Sequence, residues 1–591
     1  LLQTRERNGV MKILLISPDL EGSLYRYSRR EVRSFSFPRL TLPILAALTP
    51  PEHSVRLVDE SVEDIDFEAE ADLVGISLLT FLAPRGYEVA DRFRSRGTPV
   101  VLGGMHASAL PEEALLHADS VVIGEAEETW PILLQDFEKG QLQRIYRAEK
   151  RPSLEALPRP RLDLLKREGY LNANCVQATR GCPFGCDFCS VTDFFGNSFR
   201  LRPVKEVVAE VAALPGDIIF VDDNIAGNRA YAQELFSALI PLGKLWGSQC
   251  HLGLANDPEL LSLAAQSGCT HMFIGIETVS QANLKGVHKS FNKVSQYEEL
   301  IARFHDQGIV VNAGMIFGLD EDDDSVFPTT VEFLEKNKVE LTLFNILTPL
   351  PGTRLYARLE EEGRIIHRNW SHYDGRHVVF QPKKMSPETL RDGFFWAFHR
   401  LYSLRSMLTR LPRGKARTIP TYYMNFAYRR ILKRMPKGGL SPLCKVLRKG
   451  QGRIPLKEKT PLLIPNALEA IKNKAEGISN RWDAFLQVKM QKMETPSALR
   501  ISLEGVMDKA GGKALRKRIE GAMRRKKTEI VIDFERLRYA TPKGIQALCA
   551  WKDRSKKKGE VWKARLVNVG PVLREVLAQL DPASRHFELA D

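Results

Sequence analysis

Three cysteines lie close together in a chain of 591 residues that contains only eight. They are Cys182, Cys186 and Cys189, in the stretch GCPFGCDFCS, and the other five are scattered without paired spacing. Thiolates are soft ligands that suit zinc or iron–sulfur clusters. Structural zinc normally takes four ligands, often as two close pairs, and no second C-x2-C or nearby His pair follows. The spacing therefore favours a four-iron cluster with one open iron over structural zinc or three unrelated core cysteines.

The rest of the chain indicates a reducing compartment. The first residues are polar, and no apolar run approaches the ~18 residues that a membrane-spanning helix needs. We therefore expect a cytoplasmic protein, in which a tight cysteine cluster is more typical of a metal site than of a disulfide.

The cysteines follow a strand-like run, CVQATRG, that ends in glycine. Further strand-like runs come downstream: DIIFVDDN, LWGSQCHLGLA, HMFIGIET, IVVNAGMIFGLD and LTLFNILTPLPGT. Helical patterns near 231–240, 258–266, 294–305 and 327–336 separate them. This alternation predicts a parallel β/α array, in which ligands collect at the C-terminal ends of the strands.

A C-x3-C-x2-C loop that opens such an array resembles the radical S-adenosylmethionine (SAM) enzymes, which fold as a partial (β/α)6 barrel. The resemblance implies a [4Fe–4S] cluster on Cys182, Cys186 and Cys189, with SAM on the fourth iron. One-electron reduction of SAM would then give a 5′-deoxyadenosyl radical, and iron–sulfur clusters reach the low potentials that this needs. Phe188 matches the aromatic position that lies near the adenine.

The same resemblance implies more SAM contacts at strand ends, from Asp222, Asn224, Glu277 and Gly318. This chain lacks the glycine-rich triplet of many members near FVDDN. Ordinary strand-end turn chemistry therefore stays open as the alternative for these four residues.

The N-terminal region contains near-continuous apolar strands with helical segments between them. The strand-like runs are MKILLISPDL, SVRLVDE, ADLVGISLLT, TPVVLGG and SVVIGE. Such a pattern predicts a doubly wound, Rossmann-like parallel sheet. No G-x-G-x-x-G follows the first strand, so a dinucleotide site is not favoured.

In front of a radical SAM region, GISLLT…VVLGGMHASALPEE…VVIGEAEETW resembles a cobalamin-binding domain over residues 11–146. The resemblance implies Ser77 and Thr80 beside the nucleotide tail. It also implies that the corrin faces four residues, Gly103, Gly104, Gly124 and Glu125. The D-x-H-x-x-G signature that supplies a cobalt-binding histidine is absent, and we do not assign His106 to that role. A sheet that has kept the fold and lost the cofactor is the alternative.

The segment after the barrel, from ILTPLPGTRLY to VVFQPKKMSPETL, resembles that of cobalamin-binding radical SAM proteins, including the hopanoid methylases. Tyr373, Asp374 and His377 lie within it. They reach the active site or form an exposed loop cluster, and the sequence does not decide between these.

Residues 401–460 hold 16 Lys and Arg but one acid, Glu458, which is a net charge of +15 in a chain whose total is +14. Aromatic residues at Tyr422, Tyr423, Phe426 and Tyr428 lie among these cations. Peripheral contact with an anionic membrane is one interpretation. Nucleic-acid binding and a solvated helical linker are the others.

The last hundred residues alternate strand and helix and resemble a STAS domain, a small α/β module of anti-sigma-factor antagonists. Thr541-Pro542-Lys543-Gly544 stands where the family carries Asp-Ser-Ser-Gly, so the phosphorylatable serine is missing. We expect an interaction module without the phosphorylation switch.

The predicted organisation has four parts: a cobalamin-binding domain (11–150), a radical SAM barrel (165–385), a basic helical region (386–485) and a STAS-like domain (495–591). The resemblances imply a methyltransferase that acts on an unactivated carbon of a lipid or other amphipathic substrate. A cyclase or rearrangement enzyme with the same cofactors is one alternative, and a non-catalytic cobalamin or redox sensor is another. Expected partners are a flavodoxin- or ferredoxin-type electron donor, a protein that binds the STAS-like domain, and the inner face of the membrane.

Overall fold

We analysed a computed structural model of the chain. It describes residues 9–19, 37–196, 198–410 and 415–434, and five strands between 486 and 589. The chain divides into two units, Leu1–Ile454 and Pro455–Asp591.

The N-terminal part of the first unit is a six-stranded, all-parallel sheet with the order β2-β1-β3-β4-β5-β6. Its elements are β1 Lys12–Ser17, α1 Thr41–Leu48, β2 Ser54–Asp59, β3 Leu73–Ser77, α2 Ala83–Arg94, β4 Val100–Gly103, α3 Met105–Ala109, α4 Pro111–His117, β5 Ser120–Ile123, α5 Thr129–Glu138 and β6 Ile145–Arg147. The predicted doubly wound sheet is confirmed.

The apolar runs of this sheet are buried on both faces. On one face Leu14, Ile16 and Val74 pack against α2, and on the other Leu15 and Leu73 pack with α1 and α5. Because helices cover both faces, the strands are apolar throughout rather than alternating. The strand order reverses direction between β1 and β3, and in such sheets the ligand site lies at the C-terminal ends of the strands at this point.

The barrel is an open, all-parallel sheet with the order β14-β13-β12-β11-β10-β7, and β8 and β9 form a separate antiparallel pair. Its elements are β7 Cys175–Val176, β8 Thr179–Gly181, α6 Ser190–Phe195, β9 Phe199–Leu201, α7 Val204–Ala213, β10 Ile218–Phe220, α8 Arg229–Leu239, β11 Trp246–Cys250, α9 Pro258–Gln266, β12 Cys269–Glu277, α10 Gln281–Gly286, α11 Tyr297–Asp306, β13 Val310–Phe317, α12 Val326–Lys336, β14 Leu341–Ile346 and α13 Arg354–Glu361. This is the predicted partial (β/α)6 arrangement.

Among the described residues up to 434, three helices follow the barrel: α14 Pro387–Leu401, α15 Leu404–Thr409 and α16 Lys415–Arg434. Arg410, between α15 and α16, is buried, and its guanidinium donates to the carbonyl oxygens of Val339, Glu340 and Leu401. This part of the basic region is therefore packed on the barrel, and Arg410 stabilises the turn before β14.

The second unit contains the strands β15 Leu486–Lys492, β16 Ala498–Met507, β17 Glu529–Ala540, β18 Lys563–Val567 and β19 Phe587–Leu589. They form one sheet in chain order, in which β15 is antiparallel to β16 and the later pairs are parallel. The predicted helices of this region and the Thr541–Gly544 loop lie outside the described residues.

Within the described part of the chain, no helix has both the length and the apolar character needed to cross a bilayer.

Candidate functional site

The predicted cluster loop connects β8 to α6 at the edge where the barrel strands end. Cys186 is buried, while Cys182 and Cys189 are half-buried, and the N–H of Cys189 donates to the carbonyl oxygen of Cys186 at 3.2 Å. Burial raises the pKa of all three thiols, and that of Cys186 rises to about 12. A positive charge beside the thiols, from a metal or an ammonium group, offsets this burial and favours the thiolates.

In the described residues, no three His, Cys, Asp or Glu side chains converge on one point as ligands of a single metal ion. In a four-iron cluster each thiolate binds a different iron, so such convergence is not required. Three neighbouring soft thiols on one loop fit the donor chemistry of an iron–sulfur cluster.

Contacts on both sides fix the cysteine loop. The carboxylate of Asp187 pairs with His288 at 2.7 Å and with Arg354 at 3.0 Å. The N–H of Asp187 donates to the carbonyl oxygen of Val287 at 3.3 Å, and Arg354 also donates to the carbonyl oxygen of Gly185. The loop is thus tied to segments that follow β12 and β14.

Asp222, a predicted SAM contact, is fully buried. Its carboxylate accepts the backbone N–H groups of Ala178 and Thr179 and the Thr179 hydroxyl, at 2.5–3.2 Å. Burial raises its pKa to about 6 despite these donors. These bonds show that Asp222 positions the strand that leads into the cysteine loop, and its contact with SAM stays a prediction.

Asn224, also at the end of β10, lies beside the first cysteine. Its side-chain amide nitrogen is 3.9 Å from the Cys182 sulfur, and its carbonyl oxygen accepts the backbone N–H of His251 at 3.3 Å and lies 3.2 Å from His251 Nδ1. Burial lowers the pKa of His251 to about 4, with Lys289 adding to the effect. The backbone and the ring of His251 together hold the Asn224 amide beside the sulfur.

Glu277, the second acidic SAM prediction, ends β12 in the left-handed backbone region with φ 68°. Its carboxylate pairs with Lys289 at 2.5 Å, and both side chains are almost buried. Burial lowers the pKa of Lys289, but Glu277 and then Cys186 outweigh burial, so the net pKa is raised. Lys289 also lies 6.0 Å from the ring centre of Phe188. A buried ammonium beside the thiols is suited to stabilise thiolates.

Gly318, the remaining SAM prediction, has φ 97°. Its N–H donates to Asp322 at 2.9 Å, and a Cβ here would lie 2.7 Å from a Leu390 methyl carbon. Packing and backbone conformation therefore account for glycine at this position, and the SAM contact stays a prediction.

A first cavity, of about 250 Å³, lies where the N-terminal sheet meets the barrel. Five of the six residues predicted to contact cobalamin line it: Ser77, Gly103, Gly104, Gly124 and Glu125. Gly124 has φ 83°, and a Cβ there would enter open space, so the glycine leaves room for a flat ligand. No His is among the residues that line this cavity.

Glu125 at the cavity wall is held by two arginines from the barrel. Its carboxylate accepts from Arg180 at 2.7 Å and from Arg200 at 2.6 Å, and Arg180 also pairs with Glu127 at 2.5 Å. Arg180 precedes Cys182 by two residues. This buried network joins the end of β5 directly to the base of the cysteine loop.

A second cavity, of about 380 Å³, adjoins the first. Leu79, Met105 and Phe194 line both cavities. Thr80 lines the second cavity instead of the first, beside Phe188, so its predicted contact with the nucleotide tail has no support in this geometry.

The segment after the barrel supplies the outer wall of the second cavity. Tyr373 and Asp374 line it, while His377 is half-exposed and pairs with Asp374 at 2.9 Å. Trp370 anchors this segment to the N-terminal sheet because its indole N–H donates to Glu113 at 2.9 Å.

His106 does not line either cavity. It is fully buried, with Nε2 3.3 Å from Glu113 and its ring 5.4 Å from the Trp370 ring. The structure thus gives His106 a packing role between two domains.

Sequence reasoning missed Lys289, Arg180 and the part played by His251. His251 lies 62 positions from Cys189 in sequence, but parallel strands bring their C-terminal ends to one edge. Lys289 sits in an irregular segment after α10 without any periodic signal. The Arg-Gly-Cys order was visible, yet nothing local identified the partners of Arg180.

Comparison with protein families agrees with this geometry. The model of the Radical SAM superfamily matches residues 176–334, and the B12 binding domain matches 35–134. The model described as Mlab, STAS domain matches 490–582, and a domain of unknown function matches 353–440.

The proteins similar to this chain include two curated relatives and one solved structure. Bacteriochlorophyllide d C-12(1)-methyltransferase of Chlorobaculum tepidum is 30% identical over 444 residues, 73% of this chain and 95% of that protein. Hopanoid C-2 methylase of Rhodopseudomonas palustris is 31% identical over 354 residues, 57% of this chain and 67% of that protein. The cobalamin-dependent S-adenosylmethionine radical enzyme OxsB, with aqua-cobalamin bound, aligns over 75% of both chains with a TM-score of 0.53 and 14% identity, which shows a shared fold.

The fold and these matches define the chain as a radical SAM enzyme with a B12-binding domain. The chain belongs to the radical SAM superfamily, and its cofactors are a [4Fe–4S] cluster, SAM and cobalamin. The predicted cofactors and the C-terminal STAS-like domain are confirmed.

Proposed function

We propose that this chain methylates an unactivated carbon of a lipid or other amphipathic substrate. The observation that carries the proposal is the shared wall of Leu79, Met105 and Phe194 between the two cavities. A substrate in the second cavity would lie between the cysteine loop and the glycine-ended strands. Two relatives support this reaction class, since they are named as a methyltransferase and a methylase.

When bound, the cofactors would supply a radical that removes a hydrogen atom from the substrate. They would also supply the methyl group that takes its place. We assign the chain's residues to three tasks. Cys182, Cys186 and Cys189 hold the cluster, while Lys289 offsets their charge. Phe188, Asp222, Asn224, Glu277 and Gly318 surround SAM. Ser77, Gly103, Gly104, Gly124 and Glu125 surround cobalamin, and our four domain boundaries follow this division.

The walls of the second cavity exclude water from the reacting carbon. Phe81, Phe188, Phe194, Ile346 and Leu347 contribute apolar surface there. A dry chamber protects a reactive carbon radical from side reactions.

A second candidate is a cyclase with the same cofactors. It is favoured by 24% identity over 390 residues to the anaerobic magnesium-protoporphyrin IX monomethyl ester cyclase of Rubrivivax gelatinosus. A cyclase would release 5′-deoxyadenosine without S-adenosylhomocysteine.

One experiment separates the two. Reconstituted enzyme is incubated anaerobically with a reductant, SAM carrying a trideuterated methyl group, and a total lipid extract from the source cells. Methylation gives 5′-deoxyadenosine, S-adenosylhomocysteine and a lipid that carries three deuterium atoms. Formation of 5′-deoxyadenosine alone would contradict methyl transfer, and a labelled product found only in the polar fraction would contradict a lipid substrate.

We also propose that the basic region contacts a membrane surface. Leu404, Leu408, Tyr423 and Phe426 are large apolar side chains that are 44–58% exposed, in a segment of net charge +15. Each basic residue near an anionic surface contributes about 1 kcal/mol. Two residues of this region are not available for contact with a membrane, however, because Tyr428 stacks on Tyr402 and Arg410 is buried. The side chain of Tyr422 lies outside the described set.

Co-sedimentation with vesicles tests this contact. The full chain should bind anionic vesicles at low salt, bind them less at high salt and ignore neutral vesicles. Replacement of Leu408 and Phe426 by Ser should weaken binding without unfolding the protein. Binding to an RNA or DNA probe in place of vesicles would assign the region to nucleic acid. Within the proposal, a low-potential electron donor and a protein bound to the STAS-like domain are the remaining partners.

A further inference from the structure

The second cavity carries negative but no positive side chains. Its lining includes two carboxylates, Asp193 and Asp374, and no Lys, Arg or His. A ligand in this cavity therefore meets no cationic side chain, whichever wall it touches.

The two carboxylates differ in their surroundings. Asp374 is neutralised by Arg376 at 2.8 Å and His377 at 2.9 Å, and its side chain is almost buried. Asp193 is an exposed residue that has no hydrogen bond or ion pair within the described residues, and the partial desolvation of its carboxyl group raises its pKa. Asp193 is thus the acceptor that remains available to a ligand.

Further polar groups on the same wall lack partners. Thr80 is 8% exposed and lines the cavity, and its hydroxyl makes no hydrogen bond with the part of the chain that the structure describes. The amide of Asn345 also lines the cavity without a hydrogen bond to a described residue. An unsatisfied polar group is costly when water is excluded, so a bound ligand that satisfies these groups is favoured.

We propose that the second cavity accepts the end of the substrate at which the reaction takes place. This end is apolar, bears a hydroxyl or amino donor directed at Asp193, and carries no negative charge. This inference rests on the proposed function for the position of the substrate, and it adds the chemical class of the end that enters. An anion would be repelled by the Asp193 carboxylate, and no cationic side chain in the lining would offset this repulsion.

The size of the cavity limits what enters. The volume of about 380 Å³ lies near the lower end of the range of about 300–1,000 Å³ for pockets that hold drug-sized ligands, so the cavity accommodates a ring system or a short aliphatic segment. Any anionic group of a larger amphipathic substrate must therefore remain outside the cavity.

Three probes of one shape test the charge preference: 2-naphthalenemethanol, 2-naphthylmethylamine and 2-naphthoate. Equilibrium dialysis against the full chain, loaded with cluster, cobalamin and SAM, gives the Kd of each probe. Loss of one hydrogen bond between a probe and Asp193, or its replacement by repulsion between two carboxylates, raises the Kd of the probe by about tenfold. The alcohol and the amine should therefore bind at least about tenfold more tightly than the carboxylate.

Four variants locate the effect. Asp193→Asn should raise the Kd of the amine about tenfold, and Asp193→Lys should reverse the order so that the carboxylate binds best. Thr80→Val, which keeps the shape and removes the hydroxyl, should raise the Kd of the alcohol about fivefold. Asp306→Asn, at an exposed acid on α11, is the matched control and should change none of the three values.

The inference is overturned if the carboxylate binds as tightly as the alcohol, or if both Asp193 variants leave the order unchanged. Formation of 5′-deoxyadenosine is measured on the same preparations. Radical formation together with tight carboxylate binding would reject this inference and leave the proposed function intact. The predicted probe order without any 5′-deoxyadenosine would reject the function and leave the charge preference standing.

Discussion

Arg180 is the residue through which the cobalamin-binding sheet and the cysteine loop are joined, so its replacement by Met should destabilise the first unit. Its side chain is 6% exposed and pairs with Glu125 and Glu127, which are 4% and 10% exposed. Removing one partner of a buried ion pair costs about 3–5 kcal/mol because a charge remains buried without compensation. Since Arg200 still neutralises Glu125, we expect a loss of about 3 kcal/mol, at the lower end of that range.

Urea unfolding followed by tryptophan fluorescence measures this loss, because Trp130, Trp246 and Trp370 are buried in the first unit. The matched control is Arg94→Met, which breaks a more exposed pair with Asp119 at 3.3 Å. Such pairs contribute about 0–1 kcal/mol.

A second replacement makes the test specific. Adding Glu127→Gln to Arg180→Met removes the uncompensated carboxylate, so the double variant should be more stable than Arg180→Met alone. The reasoning would be refuted if Arg180→Met costs no more than Arg94→Met, or if Glu127→Gln lowers stability further in the Arg180→Met background.

Two other predictions concern the cofactors. The paramagnetic resonance spectrum of the cob(II)alamin form should show no nitrogen ligand from the protein. The His106→Ala variant should give the same spectrum, because His106 contacts Glu113 and lines neither cavity. A signal from a protein nitrogen would contradict this prediction. Lys289→Met should lower the iron retained per chain, because it leaves the Glu277 carboxylate uncompensated beside the thiols. Lys289→Arg keeps the positive charge and should retain the iron. Equal iron content in the two variants would argue against an electrostatic role of Lys289.

Much of the fold was predictable because buried parallel strands have a strong apolar signal. The run CTHMFIGIE became β12 and VVNAGMIF became β13. Helix α9 has the predicted bounds, since Asp257 caps it through the N–H of Leu260 and Pro258 occupies its first turn. In these segments local propensity and burial favour the same structure.

The site was predictable only where its residues are adjacent in sequence. The cysteine spacing indicated the cluster loop, but Lys289 and Arg180 acquire their partners through tertiary contacts that no local pattern encodes. Thr80 was assigned to the cobalamin cavity, yet the turn after β3 places it in the neighbouring one. Tyr428 was one of the aromatic residues that suggested contact with a membrane, yet it stacks on Tyr402. A helical segment does not reveal from its own sequence which of its faces a neighbour will cover.

The iron content of the Cys182, Cys186 and Cys189 triple alanine variant tests the central claim most directly. The cysteines lie together on one loop, and burial raises the pKa of their thiols, so a bound cluster is what would keep them deprotonated. After anaerobic reconstitution, the wild-type chain should hold four irons and convert SAM to 5′-deoxyadenosine, while the folded triple variant should hold none and form no product. Four irons per chain in the triple variant, or SAM cleavage without them, would contradict the account.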